Sequence, residues 1–193
     1  MPTNPWIAPD ATASPSLRAR ELRRRWDEYL SEGRLNQVRW PIADSWHRCE
    51  VAGIDPSRSR APTLAARREI GERWEAHPLE GAAPLIRRWL GPFADDGEHL
   101  TVVSDADGLL LWLDGNAKVR SAAADAMNFV EGALWSEAGA GTNAIGTALA
   151  ADHRCRSTPL STSARSCTGE HAPPRLCTIP KTVGCSDSST SPR

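Results

Sequence analysis

Apolar positions recur at helical spacing through the first half of the chain. In "SPSLRARELRRRWDEYLSEG" the residues Leu17, Leu22, Trp26, Tyr29 and Leu30 fall near one stripe. Ser14 stands at a cap position, Pro15 at the first helical position and Gly33 at the end, so the text predicts a helix with both punctuation marks in place. "WPIADSWHRCEVAGIDP" repeats the design: Pro41 starts a helix, Ile42, Trp46 and Cys49 share a face, and Gly53 ends it. Two more helical stretches follow, "TLAARREIGERWEAH" from Thr63 and "APLIRRWLGPF" from Ala83.

The period then changes. Leu100–Ser104 and Leu109–Leu113 are short apolar runs around Asp105-Ala106-Asp107-Gly108, where Asp and Gly favour the tight connection of a hairpin. "AKVRSAAADAMNF" returns to helical spacing, and "TNAIGTALAA" is a short helix with Thr142 placed to cap it. Two strands do not make a domain, because a lone hairpin leaves its edges unpaired and its faces uncovered. More strands are needed after His153, yet the text there has neither alternation nor a long apolar run.

Composition explains the change at His153. All eight Trp, both Phe and the single Tyr lie in residues 1–153, and 19 of the last 40 residues are Ser, Thr or Pro. Such a segment cannot bury enough apolar surface to order itself, which predicts disorder for 154–193 and, in the Pro-rich start, for 1–13. Charge divides at the same place: 17 Lys/Arg against 22 Asp/Glu before residue 154, then 6 against 2. Neither part has the clustered cations that phosphate backbones require, and specific DNA binding by this chain is not expected. In the first helix Glu21 with Arg25 and Arg24 with Glu28 stand at salt-bridging spacing, which predicts a solvated face.

No signal peptide and no run of about 18 apolar residues is present, so the expectation is a cytoplasmic chain without a membrane partner. Four of the five cysteines, Cys155, Cys167, Cys177 and Cys185, fall in the final segment. Their gaps lack the close pairs of a zinc site, and His171 has no partner at finger spacing, so neither a metal nor any other cofactor is implied.

The remaining candidates for chemistry are weak as catalytic sets. Gly139, Gly141 and Gly146 have the spacing of neither dinucleotide nor Walker loops. They read as loop and packing glycines, although a phosphate cradle at the following helix is the alternative. Glu137 is a candidate base or cation ligand, but no His or Cys near it in sequence completes an arrangement. The alternative is a core-anchored Trp135 with Ser136 and Glu137 bonded to loop backbone. Asp105 and Asp107 read as turn formers. His47 and Cys49 stand two apart on a helix and do not share a face. The expected function is therefore non-enzymatic.

"IADSWHRCEVAGIDP", "VVSDADGLLLWLDG" and "EGALWSEAGAGTNAIGTALAADH" together resemble the amino-terminal sensory region of bacterial transcriptional activators of the acetoin-catabolism-regulator type, over roughly residues 20 to 153. The resemblance implies an α+β chain: a helical lead (14–95) ending its signature in Ser-Trp-x-Arg, then the first part of a GAF domain (96–153). It implies an effector pocket bordered by the Trp135 loop, with Trp135, Glu137, Thr142 and Asn143 as candidate ligand contacts. The implied partner is a small-molecule effector. Helix-turn-helix and, in some relatives, ATPase modules lie beyond the sensory region in that family. A homodimer through the N-terminal helices, with Trp26, Trp46, Trp74 and Trp89 covering a partner helix, is the alternative function.

The resemblance stops at His153. Back-translating Arg154 onward with synonymous codons and reading one phase over spells text such as HPVQVYSAEHFREVVH and CSAAPVHDPEDGRLLG, which is what the family places there. Arg154–Arg193 therefore reads as an out-of-frame tail that truncates the GAF domain. Such a chain is expected to be non-functional or only partly folded, with one face of the hairpin exposed, no closed pocket and no capacity to remodel RNA polymerase.

Overall fold

The computed structural model describes residues 15–35, 37–94, 99–153 and 175–179, the side chains of 15–19, 93–94 and 175–179 excepted. Ser14, the side chain of Leu17 and the segments 1–13, 154–174 and 180–193 lie outside the described residues. The expected α+β class is what the chain adopts. Four helices come first, α1 (Pro15–Glu32), α2 (Trp40–Val51), α3 (Arg67–Glu75) and α4 (Ala83–Ala94). The hairpin β1 (His99–Ser104) and β2 (Leu110–Gly115) precedes α5 (Ala117–Met127), α6 (Glu137–Ala140) and α7 (Ala144–Ala150). Within the segment expected to be disordered, β3 (Arg175–Ile179) pairs in parallel with β1, giving the order β2-β1-β3.

Helices α1 and α2 meet through aromatics. Trp26 lies edge-on to Trp46 at 4.8 Å and Tyr29 stacks on Trp46 at 5.6 Å, with Ile42 and Trp46 almost fully buried. The working stripe of α1 is Leu22, Trp26 and Tyr29. Leu30, one position beyond Tyr29, turns 100° away and is 44% exposed. The outer face carries the expected ion pairs, Arg25 with Glu21 at 2.8 Å and Arg24 with Glu28 at 2.5 Å.

The Tyr29 hydroxyl donates to the Glu50 carboxylate. Burial, followed by the charge and acceptor of Glu50, pushes its pKa from 10.0 up to about 12. The folded chain thus holds this proton to a higher pH than the unfolded chain. The associated stability is complete below pH 10 and is lost as pH rises through about 12. With a single tyrosine in the chain, tyrosinate absorbance should appear near pH 12 in the folded protein and near pH 10 after denaturation. Identical titrations in both states would contradict this packing.

The hairpin is covered on both faces, which corrects the expectation that one would be exposed. Val103 pairs with Trp112 and Ser104 with Leu110, so Leu111 is an extra residue and the strand bulges. The bulge explains how adjacent residues serve one side. Leu111 packs in a cluster with Ala65, Ile70 and Leu109, and Trp112 stacks on Trp74 of α3 at 5.7 Å and 8°. On the opposite side Leu100, Val102, Leu110 and Leu113 pack against Ala123, Phe129, Trp135 and Ile145. The lead helices supply the cover for the first face. Of the tryptophans considered as a dimer surface, Trp26, Trp46 and Trp74 are therefore engaged internally, and Trp89 is 69% exposed.

The outer edge of β2 is also occupied. Gly132 N–H donates to Leu110 O at 2.8 Å and Leu110 N–H to Ala133 O at 3.0 Å, while Leu64 N–H and Leu134 N–H link residues 62–64 to the same segment. Thr63 consequently sits in an extended bridge with Ala133, and α3 starts at Arg67, four residues later than its periodicity predicts. Pairing a sheet edge outweighs an extra helical turn there. The turn itself forms as read: Asp105 Oδ1 accepts from Asp107 N–H and Leu109 N–H.

Candidate functional site

The glycine-rich segment after Trp135 is built by contact. A Cβ on Gly139 would stand 2.4 Å from Leu134 O, and one on Gly146 would stand 2.5 Å from Glu137 N. Gly141 has φ +68, a conformation that favours glycine. These glycines thus let α6 and α7 fold back on one another, in line with the packing reading. The cap of α7 is Asn143, correcting the expectation for Thr142: Asn143 Oδ1 accepts from Gly146 N–H at 2.9 Å and its Nδ2 donates to Gly141 O at 2.8 Å. Asn143 holds the extended backbone of a cap residue.

Thr142 is released for a different task. The Ser45 hydroxyl of α2 donates to Thr142 Oγ1 at 2.8 Å, and Thr147 Oγ1 donates to Ser45 Oγ at 3.3 Å. All three are at most 1% exposed. Cys49 Sγ lies 3.7 Å from Thr142 Oγ1, and burial pushes the Cys49 thiol pKa up. Beside this buried chain, Arg48 Nε and Nη2 donate to the two Glu137 carboxylate oxygens at 2.7 and 2.8 Å. The fork geometry is bidentate. The Glu137 hydrogen bond raises the Arg48 pKa, so the guanidinium is a permanent cation. Arg48 also reaches Asp44 at 2.8 Å, and Arg58 donates to the Ala138 and Gly139 carbonyls, which a short helix end leaves open.

Ser45, Arg48 and Cys49 stand at i, i+3 and i+4, so one helical stripe carries the whole clasp. Ile42 and Trp46 occupy the neighbouring stripe against α1. Helix α2 is therefore held on two sides, by polar groups toward the 137–147 segment and by aromatics toward α1.

No family model and no solved structure matches the chain. Among curated proteins it is 35% identical over 158 residues to an uncharacterized 47.3 kDa protein in the thcA 5′ region of Rhodococcus erythropolis, covering 78% of this chain and 36% of that one. It is 37% identical over 128 residues to the acetoin dehydrogenase operon transcriptional activator AcoR of Bacillus subtilis, covering 64% and 21%. It is 35% identical over 114 residues to the acetoin catabolism regulatory protein of Cupriavidus necator, covering 56% and 16%. The chain is a homologue of the amino-terminal region of these activators. It spans about a third or less of the length of these relatives.

In this activator homologue, the four residues picked out as ligand contacts separate into two kinds. Glu137, Thr142 and Asn143 have their polar atoms bonded to Arg48, to Ser45 and to the loop backbone. Trp135 is 4% exposed, its ring edge-on to Phe129 at 4.7 Å, and its indole Nε1 is buried with no hydrogen-bond partner. Residues that the sequence reading left without a role are Ser45, Arg48, Thr147 and Ser104. The available signal was the Ser-Trp-x-Arg text itself: Ser45 and Cys49 interrupt an otherwise apolar buried face at helical spacing. His47 points away from that face, as its spacing from Cys49 requires, and faces Glu50 at 3.8 Å. Among the described residues no helix is long and apolar enough to cross a membrane.

Proposed function

We propose that this chain is the amino-terminal, signal-sensing part of a transcriptional regulator, a helical lead with the first portion of a GAF-type domain of the kind that receives a small effector, truncated within that domain. One observation carries the reading: the two segments most characteristic of the activators, Ser45–Cys49 and Trp135–Thr147, are clasped to each other by buried hydrogen bonds and a bidentate ion pair. A helical lead that were merely a tether to the domain would not need a buried polar interface with it. The relatives are activators of catabolic operons by name, which supports regulation over catalysis. The internal engagement of Trp26, Trp46 and Trp74 speaks against a dimerisation module built on those residues.

The test is a chimera in which residues 20–153 replace the corresponding region of the Bacillus subtilis activator. Sensing predicts promoter output that responds to a different small molecule from the parent. Output that stays constant across a metabolite panel, in a chimera that binds its operator normally, would overturn the reading. We also propose that the reading frame changes at His153, on the support of the abrupt loss of aromatics there. Resequencing the DNA across that codon decides it, an unbroken frame with no downstream family text counting against.

A further inference from the structure

We propose that the outer edge of β1 is a self-association surface which β3 keeps closed, and that β1 pairs with the β1 of a second copy of this chain when β3 lifts away. The partner is the same strand, antiparallel across a two-fold axis.

The two edges of the β1–β2 hairpin are closed in different ways. Beyond β2 the neighbouring chain supplies the cover, through the hydrogen bonds of Leu64, Leu110, Gly132 and Leu134 and the bridge between Thr63 and Ala133. Beyond β1, among the described residues, the cover is β3 alone, a five-residue strand in parallel register from His99 opposite Arg175 to Val103 opposite Ile179. That ladder is short, and parallel pairing is the slightly weaker kind per residue. β3 also stands last in the sheet, with a strand on one side only among the described residues. It is therefore the strand that opens most readily.

The edge beneath β3 favours another strand. β1 reads His-Leu-Thr-Val-Val-Ser, without the Lys, Glu, Asp or Pro by which natural edge strands turn a neighbour away. Leu100, Thr101, Val102 and Val103 are each at most 3% exposed, so no charged side chain stands beside the ladder. The seat of β3 shows that the layers on either face leave room for a strand along this edge. Two copies present the same edge to each other, and antiparallel self-pairing sets only apolar residues and threonine opposite one another at its centre, with no like charges to oppose it. The two-fold contact closes at two chains, in the order β2-β1-β1-β2. Growth stops there because each outer β2 edge is already covered.

The test uses the full chain carrying Cys177→Pro and Thr178→Pro together. Consecutive strand residues turn their N–H groups to opposite edges, so one of the two substitutions withdraws a donor from the ladder with β1. Size-exclusion chromatography with light scattering should find the unsubstituted chain monomeric across a concentration series. The variant should dimerise about tenfold more tightly, because loss of a ladder bond raises the population of the open edge by that factor. A synthetic peptide of residues 173–181 in large excess should return it to monomer, and a scrambled peptide should not. Equal association with and without the substitutions would overturn the proposal, as would a dimer that the peptide leaves intact. Cys177→Gly with Thr178→Gly, which weakens the strand without removing a donor, takes the place of the proline variant if circular dichroism shows that one unfolded. Unfolding of both would also overturn the proposal, since β3 would then be part of the core and not a removable cover.

Discussion

Replacing Trp46 with alanine should cost about 3–5 kcal/mol of folding stability, the range for removing a fully buried tryptophan. The side chain is 2% exposed and meets Trp26 edge-on and Tyr29 in a stack, so its loss opens a cavity between α1 and α2 that neither ring can fill without leaving the other. Against a total of about 5–15 kcal/mol for an ordinary domain, that loss brings the chain close to unfolding. Urea denaturation followed by circular dichroism measures it. Trp46→Phe, which keeps part of the ring contact, should lose clearly less. Equal losses for both would place the effect outside this aromatic cluster.

The second large effect belongs to Gly139. A methyl group there would meet the carbonyl oxygen of Leu134 at 2.4 Å, and that oxygen is backbone and cannot swing aside. Gly139→Ala should cost about 3 kcal/mol, at the upper end for overpacking, and should loosen the α6–α7 turn on which Glu137 and Thr142 are mounted. Gly71 provides the contrast. It lies within α3 with open space around its added Cβ, so Gly71→Ala should stabilise by up to about 1 kcal/mol through helix propensity. Thermal melts of the two variants should therefore shift in opposite directions. A neutral Gly139→Ala would mean that the loop is free to widen.

Local grammar made much of this fold legible. The prolines at the starts of α1 and α2, the glycines at 33 and 53, the Asp105 turn and the period change at Leu100 each act within a few residues, and each is readable from the chain. What escaped depended on contacts across the fold. Thr63 continues a helical pattern, yet it is extended because Ala133, seventy residues later, offers a sheet edge. Thr142 has the right chemistry for a cap, but Asn143 takes the cap because Ser45 of α2 holds the threonine hydroxyl. The bulge at Leu111 places two consecutive residues on one side, which strict alternation cannot foretell.

The candidate site divides in the same way. The packing role of Gly139 and Gly146 follows from their sequence context and holds in three dimensions. The meaning of Glu137 did not follow, because its partner Arg48 lies 89 positions away on an element read as a separate lead. The coverage of both hairpin faces has the same origin. Helix α3 looks like an independent amphipathic segment, but its apolar stripe covers the second face of the sheet, where Arg87 of α4 also lies over the Trp112 ring.

The most direct test of the claim that the lead and the glycine-rich segment are one unit is a double-mutant cycle on Arg48→Ala and Glu137→Ala, read by urea unfolding. The bidentate contact predicts that the double variant is less destabilised than the sum of the singles, with a coupling of about 1–3 kcal/mol. Additivity within about 0.3–0.5 kcal/mol would contradict it, and would return α2 to the status of a tether.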